Sequence, residues 1–386
     1  MRLLKSSIIN MSNQEVYLDH AASAPLHPLV LDYISALYRK NLGNSSSIHR
    51  SGVLASVELE KGRSILAKRL NCRSEEIYFT SGATESNNLV FRGIFEANKN
   101  KLKNQIITSK IEHSSVTENV LKLEKLGCEI KFIDVDKNGT LNLNQLRELI
   151  SDETLLVSVI HANNEIGVVQ NLKEIGLLCK NYDVLFHSDG AQSFCKIPVD
   201  LQEMNIDLYS LSSHKIHGPK GIGALFIREG IEIAPQMIGG AQEGFLRAGT
   251  VPAELAASMA FASTLYNEKS LSHLTELKKY LVSQIGYAFP THRLHGSLLS
   301  ALPNILNFAI PGISGKSALQ TLDQFGIRIS VGSACHSGNK NPSSVLKALA
   351  LTDEEAFEAL RISWGLNTTR EDIDQLIFCL KNRLNI

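Results

Sequence analysis

Between about residues 50 and 265, short apolar runs alternate with longer stretches in which apolar residues recur every three to four positions. The short runs read as strands at 77–80, 105–108, 129–133, 155–160, 184–187, 208–210 and 224–227. The stretches between them read as helices, as at 86–98, 116–126 and 172–179. Such β/α alternation predicts an α/β fold with a mostly parallel seven-stranded sheet, covered by helices on both faces. Sheets of this kind bind ligands at the carboxyl ends of their strands. A long helical region, 252–285, leads away from this unit. The remainder reads as α+β: strands at 304–310, 327–330 and 361–364, helices at 317–325, 343–349 and 370–383. With 386 residues the chain is long for one ordinary domain. The expectation is a large domain over 16–265 and a smaller one over 266–386, the latter joined by the N-terminal segment 1–20.

Composition narrows the class. Apolar residues make up 44%, enough for a sizeable core, and the formal net charge is +0. Neither a basic run nor a charge excess points to nucleic acid or to an anionic membrane surface. No apolar run approaches the ~18 residues of a membrane span. Arg2 and Lys5 precede no apolar leader core, so a secretory signal is not expected; Met11 is an alternative start, because recognisable structure begins near Glu15. The six cysteines, Cys72, Cys128, Cys179, Cys195, Cys335 and Cys379, form no C-x-x-C pair. Sparse, irregular cysteines in a long chain suit a reduced, cytoplasmic protein.

Chemistry gathers just past the strands. Lys215 lies between an apolar run ending in Asp207-Leu208-Tyr209 and the turn Gly218-Pro219-Lys220-Gly221. A lysine so fixed can hold an aldehyde cofactor as a Schiff base, with Ser212 and His214 beside it for a phosphate. Thr80-Ser81-Gly82-Ala83-Thr84-Glu85 follows a strand and opens a helix, whose free N–H groups and Thr84 hydroxyl can bind phosphate. Asp189 ends another strand and can pair with a pyridine nitrogen; Gln192, three residues on, can bond a ring phenolate. His113 can stack on a flat ring and move protons. Asn163 is placed to contact ring or substrate, and Arg361 can clamp a carboxylate bidentately. Taken singly, most of these also read as capping or turn residues. Cys335, among Gly332, Ser333, Ser337 and Gly338, lacks the apolar setting of Cys179 and Cys379. His336 and Lys340 can favour its thiolate.

Together these segments, with Tyr17-Leu18-Asp19-His20-Ala21-Ala22, Gly43-Asn44-Ser45, Asn163-Asn164-Glu165-Ile166-Gly167, Leu246-Arg247-Ala248-Gly249-Thr250 and Gly332-Ser333-Ala334-Cys335, occur in the order found in the cysteine desulfurases. The chain resembles that family, class V members of the aminotransferase fold, from about 16 to 380. The resemblance implies a fold type I homodimer that uses pyridoxal 5′-phosphate. It implies removal of sulfur from L-cysteine to leave L-alanine. Lys215 then matches the Schiff-base lysine, His113 the stacking acid/base, Asp189 the pyridine partner and Gln192 the phenolate ligand. Ala83, Thr84, Ser212 and His214 match the phosphate site, with Thr250 reaching it from the other subunit. Asn163 matches the asparagine near cofactor and substrate, and Asn44 and Arg361 match substrate ligands. Cys335 matches the cysteine that takes the sulfur as a persulfide and passes it to an acceptor protein, such as an iron–sulfur scaffold or a sulfur carrier. Iron–sulfur cluster assembly, tRNA thiolation and DNA phosphorothioation all draw on such enzymes. No resident metal is implied, although Cys335 could transiently ligate a cluster. The alternative on the same scaffold is a selenocysteine or cystine lyase, or another class V aminotransferase-like enzyme. His20, Ser23, Ala24, Gly190, Ala241, Gly244 and Gly365-Leu366-Asn367 depart from the family's usual residues.

Overall fold

A computed structural model describes residues 15–98, 103–332 and 341–384. Twelve strands can be numbered among them. A short N-terminal strand, β1 (Val16–Tyr17), precedes β2 (Ile77–Thr80), β3 (Gln105–Ser109), β4 (Glu129–Ile133), β5 (Thr154–Ile160), β6 (Leu185–Asp189), β7 (Leu208–Ser212) and β8 (Gly223–Ile227). Towards the C-terminus come β9 (Arg293–His295), β10 (Ile305–Ala309), β11 (Ile327–Arg328) and β12 (Ala359–Ser363). A seven-stranded sheet has the order β2-β8-β7-β6-β5-β3-β4. Neighbours from β7 to β4 pair in parallel, and β8 alone runs against both of its neighbours.

Alternation along the strands shows why this sheet is buried on both sides. Ile106, Leu156, Leu208 and Leu225 join one core with Leu89, Val90, Phe91 and Ile94 of the helix Ala83–Ala97. Their sequence neighbours Ile107, Val157, Tyr209 and Phe226 point into a second core. That core contains Leu66, Ile175 and Met259 from helices on the other face. Period-two alternation between two apolar layers is what a doubly covered sheet requires.

The predicted strands are present with ends shifted by a residue or two, and the long helical region 252–285 is divided. It forms the helices Ala253–Thr264 and Glu268–Ala288. Asn267 starts the second: its side chain accepts from Ser270 N, and the Ser270 hydroxyl accepts from Asn267 N. This reciprocal capping box ends any continuous reading of the helix. The C-terminal strands β12-β10-β9 form an antiparallel sheet, and β1 pairs in parallel with β11. Asp19 bridges to Ser363, so the N-terminal segment runs along these C-terminal strands and crosses to the large sheet at Ala21 and Ala22. Among the described residues no helix is long and apolar enough to cross a membrane.

Candidate active site

The carboxyl ends of β2, β3, β5, β6 and β7 open on one edge of the large sheet, where a cavity of about 480 Å³ lies. It is lined by Ala83, Thr84, His113, Asn164, Asp189, Gln192, Ser212, His214, Lys215 and Arg361, which come from distant points of the chain. Parallel strands bring the loops after them to the same edge, which explains the convergence.

Lys215 ends a short 3-10 turn, Ser213–Lys215, directly after β7. Its Nζ donates to Ala21 O at 2.6 Å and Ala22 O at 2.9 Å. Asp189, 3% exposed, ends β6. Its Oδ1 accepts from Ala191 N at 2.9 Å and its Oδ2 from Asn87 Nδ2 at 2.8 Å. The same Asn87 amide donates to Ser115 Oγ at 2.8 Å. Ser115 in turn meets His113: its backbone N–H donates to His113 Nδ1 at 3.1 Å, and its hydroxyl lies 2.8 Å from that nitrogen. A nitrogen that accepts from a backbone N–H carries no proton, so the His113 proton resides on Nε2. Asn87 and Ser115 therefore tie the orientation of His113 to that of Asp189. Neither stood out in the sequence, although Asn87 lies three residues past Thr84 and Ser115 two past His113.

The opposite end of the cavity favours an anion. The first turn of the helix Ala83–Ala97 points its uncapped N–H groups there. Gly82 precedes it at φ 155°, a region that only glycine adopts freely. Ser212 and His214 stand beside it, the latter with Nδ1 3.4 Å from Ser23 Oγ. Burial, helped by Lys215 and Lys220, pulls His214 down to about 4, so at neutral pH it is an uncharged donor or acceptor. An amine, a buried carboxylate and a phosphate-seeking helix end are the donor set that pyridoxal 5′-phosphate needs, and these residues fit it.

Arg361, 1% exposed on β12, reaches in from the C-terminal sheet. Its two terminal nitrogens donate to Asn164 O at 3.0 Å and Asp19 Oδ1 at 2.8 Å, while Nε has no partner among the described residues.

Three expected ligands stand elsewhere. Asn163 does not line the cavity: it is fully buried, its Oδ1 accepts from Glu165 N and Ile166 N, and its Nδ2 donates to Ile111 O. Those bonds hold the Asn163 side chain in the turn, and its neighbour Asn164 lines the cavity. Asn44 is exposed, with its Oδ1 accepting from Ser46 N. Thr250 is exposed outside the cavity of its own chain. Cys335 lies outside the described residues. The residues that bracket it can be placed: Asn341 lines a second cavity of about 870 Å³, which shares His113 and Asn164 with the first. The other five cysteines are free thiols, and none lines either cavity. Among the described residues no cluster of histidine, cysteine and carboxylate side chains could hold a metal ion.

Residues 16–376 match the Aminotransferase class-V family. The chain is 40% identical over 371 residues to a protein named cysteine desulfurase IscS from Dictyoglomus turgidum, covering 95% of this chain and 94% of that one. A NifS-like protein of known structure superposes with a TM-score of 0.89 at 33% identity, covering 95% of this chain and 98% of that one. A structure titled SspA in complex with cysteine gives a TM-score of 0.82 at 34% identity, with 92% and 100% coverage.

Proposed function

The chain belongs to the class-V aminotransferase family and is a pyridoxal phosphate-dependent cysteine desulfurase, and from that premise we propose how its own residues divide the work. Bound in the cavity, the cofactor supplies an aldehyde for an amine and an electron sink for the substrate Cα. The juxtaposition of Lys215, Asp189 and the helix end at Ala83 in one cavity is the observation that carries the assignment.

Lys215 is the amine and the base that takes the α-proton of L-cysteine. Asp189, held by Asn87 and Ala191, would pair with the pyridine nitrogen and keep it protonated. His113, with its proton on Nε2, lines the cavity and would serve as the acid/base. Thr84, Ser212, His214 and the N–H groups at Ala83 hold the phosphate. Arg361, partly neutralised by Asp19, takes the substrate carboxylate, with Asn164 in the place first given to Asn163. Cys335 attacks the sulfur of the substrate as a thiolate. Sulfur leaves the substrate for Cys335 as a persulfide, and the carbon skeleton departs as L-alanine after protonation.

The working unit is a homodimer in this reading. Thr250 is exposed, and the same stretch of chain carries two exposed apolar side chains, Ile238 at 90% and Phe245 at 73%, which suits a residue donated to a partner's phosphate site. The persulfide passes to a protein acceptor, such as an iron–sulfur scaffold or a sulfur carrier, without an obligatory activator. The test is sulfide and alanine release from L-cysteine with a reductant and no second protein. Wild type should give both products, Cys335→Ala neither, and Lys215→Ala neither. Undiminished alanine from Cys335→Ala would remove Cys335 from the mechanism and favour a lyase.

A further inference from the structure

Lys196 is only 3% exposed, and the mechanism above makes no use of it. Its Nζ donates to Gln192 Oε1 at 3.2 Å. Among the described residues no carboxylate lies within ion-pair distance of it. Burying an ammonium against a single neutral acceptor is costly. Lys215 makes the cost greater, while Cys195 works the other way, and the charge of Lys196 in turn helps hold His20, His214 and His217 below their ordinary value.

The geometry at Gln192 supplies a use for that cost. The two ends of a glutamine amide are nearly equal in size, so hydrogen-bond partners decide which end faces where. In its protonated form Lys196 has no acceptor to offer, so the charged side chain can face only Oε1. Nε2 is thereby turned the other way, and it donates to Ala21 O at 2.8 Å. Ala21 O is also the acceptor of Lys215 Nζ at 2.6 Å. Gln192, Ala21 and Lys215 line the same cavity, and the second Nε2 hydrogen remains for a ligand there.

We propose that Lys196 is a positioning residue, whose bond to Gln192 Oε1 fixes the amide with its nitrogen end as a donor to the phenolate oxygen of the cofactor beside Lys215. The inference rests on the assignment of Gln192 as phenolate ligand. Without Lys196 the amide can turn its oxygen to the phenolate, exchanging a donor for a repulsive acceptor. Burial and Lys215 push Lys196 down to about 7 from its ordinary 10.5. A lowered lysine removes stability as pH falls from 10.5 through about 7, so replacing it should raise the stability of the apoprotein, most clearly below neutrality.

The test titrates apoprotein with pyridoxal 5′-phosphate and follows the visible absorption that depends on Lys215, with Lys215→Ala as the blank. Lys196→Met is expected to bind ~10- to 100-fold more weakly, the range for losing a hydrogen bond to a charged oxygen. The ratio of its phenol-form to phenolate-form absorption bands should rise, and its apoprotein should melt no lower than wild type. In a Gln192→Leu background the same substitution should change neither affinity nor band ratio, since the amide it orients is gone. Unchanged affinity and band ratio in Lys196→Met would make Lys196 structural only and overturn the inference. A full effect persisting in Gln192→Leu would also overturn it, by showing that Lys196 acts by another route. If Lys196→Met does not fold, Gln192→Glu replaces it: the new carboxylate pairs with Lys196 but cannot donate, so wild-type affinity there overturns the proposal. A wild type with no Lys215-dependent band would overturn the reading of the cavity itself, and this inference with it.

Discussion

Glu112 stands directly before His113 and is 6% exposed. Its Oε1 accepts from the Ser109 hydroxyl and from Ile160 N, and its Oε2 has no partner among the described residues. Burial pushes its carboxyl up to about 8, against the pull of those two donors and with help from the charge of Asp189. The ordinary value is 4.5, so the folded protein holds a proton that the unfolded chain releases. Its contribution to stability is fully present below 4.5 and is lost as pH rises through about 8. Glu112→Gln keeps the shape and removes the titration. Denaturant unfolding of the apoprotein should therefore show a smaller decline between those pH values than wild type, by up to ~1.4 kcal/mol per pH unit. Identical slopes would mean that Glu112 is ionised in the folded state. At this scale the sequence was partly legible. Of two adjacent amides the sequence pointed to Asn163, whereas Asn164 is the one that lines the cavity. The choice between them depends on a turn in which Asn163 takes the N–H groups of Glu165 and Ile166, a competition invisible in residue types. The Gln192–Lys196 pair did leave a signal, a spacing of four on a tight turn, but a lysine is read as a surface residue by default.

Elements, in contrast to single side chains, announced themselves by period. The large-sheet strands were legible because each is a run of apolar residues bounded by turn formers. The helix Arg50–Leu70 was not, because Gly52, Ala55, Gly62 and Ala67 stand among its buried residues, and a face of small residues gives little hydrophobic stripe. The contact between β6 and β7 depends on another small residue. Gly190, where alanine is usual in the family, follows β6, and a Cβ there would fall inside the van der Waals envelope of the Tyr209 ring. Tyr209 is itself locked, with its hydroxyl 2.7 Å from His161 Nδ1 and 2.8 Å from Ser193 Oγ. Gly190→Ala should then destabilise the protein by about 3 kcal/mol, at the upper end for overpacking. The strain should also displace Asp189 and weaken cofactor binding. Tyr209→Leu should be harmful alone, because it leaves His161 without its partner, yet should recover part of the loss in the Gly190→Ala background. Additive losses in the double variant, measured by denaturant unfolding, would show that the two residues do not share this contact.

Across the whole molecule the thiols divide by environment. Burial raises Cys72 and Cys195 to about 12, and raises Cys179, Cys128 and Cys379 above their ordinary value as well. Thiolate, not thiol, is the reactive form. A shift from 9.0 to about 12 leaves roughly a thousandfold less thiolate at neutral pH. Four of the five are also buried from reagents, and only Cys72 is partly accessible. The chain therefore keeps five of its six cysteines inert, which matters in a protein that handles sulfur: a stray thiolate would intercept a persulfide. The sequence already hinted at this division, because Cys335 sits among glycine and serine whereas Cys179 and Cys379 lie in apolar stretches. The degree of inertness was not legible, since it comes from packing between distant segments, as where Cys195 lies against Ser263 O. A limiting amount of an alkylating reagent, applied to native protein at neutral pH and mapped by mass spectrometry, should label Cys335 first and almost alone. Cys72 should follow at least ~100-fold more slowly, and denaturation should release all six. Loss of the fast phase in Cys335→Ser, with the slow phase intact, would assign it. A fast phase surviving that substitution would place the reactive thiol elsewhere, and the persulfide step assigned to Cys335 would have to be moved with it.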